Sequence, residues 1–78
     1  MENKIKYNTA FTESFGIDES ALNDLEYESI LEWDSVAHMG LIAEIEEAFD
    51  IELEIDDVID FSSYVKGKEI LKKYKVEI

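Results

Sequence analysis

The sequence predicts an all-α protein: a small antiparallel bundle of three main helices plus one short helix. Three observations carry this expectation. The chain has no Pro, and its three Gly stand singly. In three segments the apolar residues recur at intervals of three and four, the spacing of one helix face. The one alternating run, Ile51-Glu52-Leu53-Glu54-Ile55, has no second strand to pair with and reads as an extended connector.

The first helix is expected over residues 3–15, where Tyr7, Ala10, Phe11, Ser14 and Phe15 form an apolar stripe. Gly16 follows where a left-handed residue closes a helix, with Ile17 able to fold back over the last turn. Residues 17–33 break the period. Ile17, Leu22, Leu25, Tyr27, Ile30 and Trp33 are separated by acids, which predicts a long loop held by buried anchors, with one short turn after Asp18. Asp34 is placed to cap a second helix over residues 35–50, because its carboxylate can accept first-turn N–H groups. Met39, Ile42, Ile45, Glu46 and Phe49 follow the helical period there, and Leu41 widens the face. Asp56 is expected to cap a short helix ending near Phe61. Ser62 or Ser63 is expected to cap a last one, in which Tyr64, Gly67, Ile70, Leu71 and Tyr74 repeat. Gly67 costs a helix about 1 kcal/mol relative to Ala, so a close helix neighbour is expected beside it.

With 78 residues the chain is read as one domain, residues 1–78. It has no Cys, which excludes a cysteine nucleophile, a thiol redox pair and a Cys-ligated zinc site. The first residues are polar and no long apolar run follows, so a cytoplasmic protein is expected. Charge is large and uneven, with a net of −13. All acids except Glu2, Glu69 and Glu77 fall between Glu13 and Asp60, a stretch with no Lys or Arg. Polyanions such as nucleic acid and anionic membranes are disfavoured partners for such a surface, and basic protein surfaces are favoured.

The densest chemistry lies at Trp33-Asp34-Ser35-Val36. As a nucleophile, Ser35 would need a free base, a group orienting that base and an oxyanion site. His38 lies three residues on, but Asp34 is committed to the cap and no G-x-S-x-G elbow is present, so catalysis is not expected. The acids Asp50, Glu52, Glu54, Asp56, Asp57 and Asp60 invite a calcium reading. An EF-hand loop starting at Asp50 needs Gly at its sixth position and Glu at its twelfth, where this chain has Ile55 and Phe61. No metal site is expected. The remaining possibilities for Ser35 are a simple first-turn residue and the carrier of a covalent phosphate ester, an anion suited to a helix N-terminus.

The stretch from Leu31 to Phe49, with Asp34-Ser35 before a branched apolar residue and Glu46-Glu47 and Phe49 near its end, closely resembles the prosthetic-group helix of acyl carrier proteins. The resemblance extends over nearly the whole chain, through the order of helices and the final Ile70-Leu71-Lys72-Lys73-Tyr74. It implies that Ser35 receives 4′-phosphopantetheine from coenzyme A through a phosphopantetheinyl transferase, with Asp34 presenting the site. The arm would supply the thiol that the chain lacks and hold acyl groups as thioesters. The implied partners are that transferase and acyl-activating and acyl-transferring enzymes with basic docking surfaces, read by a monomer through Glu32, Val36, Ala43, Glu44, Glu46 and Glu47. Gly40, Trp33 and His38 depart from the housekeeping fatty-acid form. They look more like a stand-alone carrier of a specialised pathway, such as surface-glycan or secondary-metabolite assembly. An aminoacyl or peptidyl carrier stays open as an alternative, and so does a small acidic interaction module without a prosthetic group.

Overall fold

The computed structural model describes residues 2–78. Four α-helices follow in order: α1 Glu2–Phe15, α2 Ser35–Phe49, α3 Ile55–Asp60 and α4 Tyr64–Lys72, with a 3-10 turn at Glu19–Ala21. No strand forms among the described residues; a single isolated bridge pairs Glu26 with Ser63. The all-α bundle expected from apolar spacing is therefore the architecture found.

Helix α1 buries Tyr7, Ala10, Phe11 and Phe15, the stripe read from the sequence. It ends at Gly16, whose φ of 64° suits a residue without Cβ and whose N–H reaches the Thr12 carbonyl at 2.8 Å. Helix α2 runs back along it. Ile5 and Thr9, early in α1, share a surface hollow with Glu44 and Ala48, late in α2, while Phe15 stacks on Trp33 just before α2. Helix α4 also opposes α1. The Tyr7 hydroxyl donates to the Tyr64 carbonyl at the start of α4 (2.6 Å), and Asn3 donates to the Glu77 carbonyl beyond its end (3.1 Å).

Rings fill the space between these helices. The Phe11 ring meets Tyr7, Phe15, Trp33, Phe61 and Tyr64 at centroid distances from 4.9 to 6.2 Å. Such edge and offset contacts add to the area these rings bury. Gly67 of α4 lies against this cluster; a Cβ there would overlap the Tyr7 hydroxyl and the Phe61 ring. The close approach expected of Gly67 is thus present, and its neighbours are α1 and the residue that ends α3. Asn8, which no pattern flagged, is buried and accepts a hydrogen bond from the Tyr64 hydroxyl. Burial pushes the Tyr7 phenol well above its usual range, so this ring stays neutral.

Several details differ from the sequence expectation. Asp56 does not cap α3: Glu54 occupies the N-cap position, and Asp56 lies in the first turn. The helix starts early because the Val58 N–H bonds to the Glu54 carbonyl (3.0 Å), while the Glu54 N–H is held by the Tyr74 hydroxyl (3.0 Å). Helix α2 stops at Phe49, and Asp50 turns left-handed with φ 53°. Met39 lies outside the core at 59% exposure, and Tyr27 is only partly covered at 36%. Both are claimed by a surface groove described below. Of the two serines expected to cap α4, Ser63 does so, accepting the Lys66 N–H at 2.9 Å. Helix α4 itself ends at Lys72, leaving Tyr74 in the turn that follows.

Helix α3 is too short to hold its position by its own hydrogen bonds. On one flank the buried Asp57 carboxylate accepts from Lys73 and from the Tyr74 hydroxyl. These two donors hold the Asp57 carboxyl below the usual carboxylate range. The other flank is tied to α2 through His38, at the candidate site.

Candidate functional site

The segment before α2 is a loop with a dense hydrogen-bond pattern. The Ser29 hydroxyl donates to the Glu26 carbonyl (2.6 Å) and accepts the Glu26 N–H (3.0 Å), as the Ser29 N–H also reaches Glu26 (2.9 Å). Glu28, left-handed at φ 63°, sends its N–H to the Trp33 carbonyl at 3.0 Å. The Tyr27 N–H bonds to the Ser62 carbonyl (2.8 Å) and the Tyr64 N–H to Leu25 (3.0 Å), which ties the loop to the α3–α4 junction. Leu22, Leu25 and Trp33 are buried and Ile17 and Ile30 half-buried, so five of the expected anchors do hold the loop to the core.

Asp34 caps α2 as expected. Its carboxylate accepts the Ala37 N–H at 2.8 Å, and its carbonyl accepts the His38 N–H at 2.8 Å. Ser35 is the first helical residue and is exposed. The backbone N–H groups of Ser35 and Val36 lie in the turn that has no intrahelical acceptor, so they face outward at the positive end of the helix.

His38 is the residue whose role the sequence did not reveal. Its Nδ1 lies 3.0 Å from the Trp33 indole Nε1, and its Nε2 lies 2.8 Å from the Val58 carbonyl oxygen. The indole N–H only donates and a carbonyl only accepts, so these partners assign the tautomer. Nδ1 accepts from Trp33 and the Nε2–H donates to Val58. Both ring nitrogens are engaged, and neither is free to take a proton from Ser35. The imidazole also stacks on Trp33 (6.0 Å) and meets Tyr27 (5.4 Å) and Phe61 (6.2 Å) edge-on.

Beside Ser35 lies an open groove of about 460 Å³, lined by Tyr27, Ser35, His38, Met39, Val58, Ile59, Phe61 and Ser62. None of these side chains is an acid or a lysine, on a protein of net charge −13. Four other hollows among the described residues each contain at least one acid or lysine. Apolar side chains are also exposed on α2 and α3. Val36 is 80% exposed on α2, and Ile55 and Ile59, one turn apart on α3, are 77% and 72% exposed. Leu31, 95% exposed in the loop, is a further apolar residue that no periodicity could reveal. Set against known proteins, the chain matches no family model and no curated protein.

Of the residues singled out in the sequence, Glu32, Asp34, Ser35, Val36, Ala43, Glu44 and Glu47 are exposed. Glu46 differs from these. It is half-buried, and its carboxylate accepts the Leu53 N–H at 2.8 Å, which ties the connector after α2 back to the helix. The acid run from Asp50 to Asp60 does not converge. Among the described residues no three His, Asp or Glu side chains come together to hold a metal ion. No helix of the described residues is long and apolar enough to cross a membrane.

Proposed function

We propose that the protein is a non-catalytic, acyl-carrier-like shuttle in the cytoplasm, carrying 4′-phosphopantetheine on the Ser35 hydroxyl. The observation that supports this most is local. An exposed Ser35 begins a capped helix and opens onto the uncharged groove of an otherwise acidic protein.

The residues present fit the group. A phosphodiester on Ser35 would meet the outward N–H groups of Ser35 and Val36, a favourable setting for an anion. When bound, the group supplies a thiol on a flexible arm, in a chain that has no Cys. Asp34 acts by holding the first turn of α2 in place rather than by moving a proton. His38 has no free ring nitrogen, so the base that activates the Ser35 hydroxyl must come from the transferase. Carrying, unlike hydrolysis, asks for no base, no oxyanion site and no enclosed substrate pocket of the chain itself.

For partners, the acids Glu32, Glu44 and Glu47 supply long-range attraction to basic enzyme surfaces, and Val36 and Ala43 supply contact area between them. Glu46 contributes only with the part of its carboxylate not occupied by Leu53. The cargo belongs to a specialised pathway in this reading, because Trp33 and His38 stand where housekeeping carriers have other residues.

The test is intact mass after incubation with coenzyme A and a promiscuous phosphopantetheinyl transferase, with Ser35→Ala in parallel. The expected result is the gain of one phosphopantetheine by the parent and none by the variant. A folded parent that gains no mass would leave an acidic interaction module as the better reading, and Asp34-Ser35 as a helix start.

A further inference from the structure

A shuttle can carry its cargo in two ways, between its helices or along its outside. Two residues that line the groove beside Ser35, His38 and Phe61, stack on Trp33 and Phe11, neither of which has any exposed surface. His38 bridges α2 and α3 by donating to the Val58 carbonyl at 2.8 Å while accepting from Trp33 at 3.0 Å. An alkyl chain pushing inward would have to part α2 from α3 here. It would leave the Nε2–H of His38 and the carbonyl of Val58 facing hydrocarbon, and it would disturb the indole N–H of Trp33. Hydrocarbon offers none of these groups a partner, so the intrusion loses hydrogen bonds without replacing them. The outer groove imposes no such loss, since Tyr27, Met39, Val58 and Ile59 present apolar surface directly to solvent and no charge lines it.

We infer that the Trp33–His38–Val58 relay is a latch that shuts the bundle to cargo, so that an acyl chain tethered at Ser35 lies in the outer groove and His38 sets that limit. The inference rests on the carrier reading, because only a tethered chain gives the latch something to exclude. Its consequence is a preference for short or partly polar cargo. A long chain extends past Ile59 into solvent, where nothing in the groove shelters it or protects its thioester.

The absence of Cys makes a direct test available without any transferase. Ser35→Cys creates a unique thiol, which is derivatised with ethyl, hexyl and dodecyl methanethiosulfonate. In each case a mixed disulfide forms as methanesulfinate leaves. Two quantities are read: the melting temperature as a function of chain length, and the NMR resonance of the Trp33 indole N–H. The latch predicts a melting temperature that levels off between the hexyl and dodecyl chains, once the groove is covered, and an unmoved indole resonance. It further predicts that adding His38→Ala makes the dodecyl adduct melt higher than the hexyl adduct. A purely structural His38 would lower stability and leave the hexyl and dodecyl adducts melting together.

A melting temperature that goes on climbing from hexyl to dodecyl in Ser35→Cys overturns the latch, and so does a displaced indole resonance. A folded His38→Ala series in which the dodecyl adduct melts no higher than the hexyl adduct overturns the assignment to His38. Should that double variant not fold, the Ser35→Cys series and its indole resonance decide the matter alone. Failure of the transferase to modify Ser35 would count against the carrier reading while leaving the alkyl series to report on the latch, so the two failures are distinguishable.

Discussion

The side of the bundle where α1 meets α4 and the side presented by α2 and α3 are built on opposite principles. On the first side, Tyr7, Phe11, Phe61 and Tyr64 fill the space so closely that a glycine is required at residue 67. On the second, Val36, Met39, Ile55 and Ile59 stand in solvent, and Met39 and Ile59 line an open groove. The filled side is held by ring packing. The open side is held by two polar links on either flank of α3: neutral His38 to Val58, and charged Lys73 with Tyr74 to Asp57. A chain this short concentrates its large side chains in one place, and the other face stays free for contact at the cost of leaving apolar area exposed.

The largest expected break in this contrast comes from truncating one residue on each side. Phe11→Ala removes a ring with no exposed surface and should cost about 3–5 kcal/mol. Ile59→Ala, at a residue 72% exposed, should change stability by less than about 0.5 kcal/mol. Urea denaturation of the two variants measures both. Equal losses would mean that the open face is packed in solution.

The two helical glycines sharpen the same comparison with opposite signs. Gly67→Ala forces a Cβ into Tyr7 and Phe61, neither of which has room to retreat, and should destabilise by about 1–3 kcal/mol. Gly40→Ala places its Cβ in open space on α2 and should stabilise by about 1 kcal/mol through helix propensity alone. Thermal melts of both variants should therefore move in opposite directions from the parent.

The charged link is expected to be the smaller of the structural terms. Asp57→Asn should cost about 1 kcal/mol at neutral pH, because Lys73 is largely exposed and its charge is well solvated. Lys73 and Tyr74 hold the folded-state Asp57 carboxyl below its ordinary value of 3.8. Their stabilisation is thus complete above that value and disappears as pH falls through the lower folded-state value. Urea midpoints measured between neutral pH and pH about 3 should show the parent and Asp57→Asn converging at the acid end. Parallel curves would show that this pair does not contribute.

Smallest is the response to salt. The acids between Glu13 and Asp60 repel one another, and salt at about 0.15 M screens charges beyond ~8 Å. Modest NaCl or Mg²⁺ should raise the melting temperature, despite weakening the Asp57–Lys73 pair. A melting temperature indifferent to both would show that the acidic surface adds no net strain.

Much of this was legible in the sequence, for reasons that individual residues make plain. Tyr7, Ala10, Phe11 and Phe15 fixed the buried face of α1 by spacing, since a helix period leaves them no other common side. Gly16, Asp34 and Ser63 marked helix ends through local backbone chemistry that depends on only a few neighbouring residues. Ser35 falls in the first turn of α2 for the same reason. Met39 and Tyr27 were misplaced because apolar residues at the edge of a stripe are assigned by what packs on them, and here only a shallow groove does. Propensity favours Asp56 as a cap, whereas the start of α3 is decided by Tyr74, twenty residues beyond Glu54, whose backbone N–H its hydroxyl accepts.

By itself, then, the sequence determined the helices, the end signals at Gly16, Asp34 and Ser63, the acidic middle and the place of Ser35 in the first turn of α2, all of which rest on contacts between near neighbours in the chain. Only the tertiary structure decided what His38 and Asp57 do, and where the uncharged groove lies. Hydrogen bonds such as His38 to Val58 and Asp57 to Lys73 join residues that share no local pattern. Their partners are chosen by how α3 settles between α2 and α4, which depends on the packing of the whole bundle.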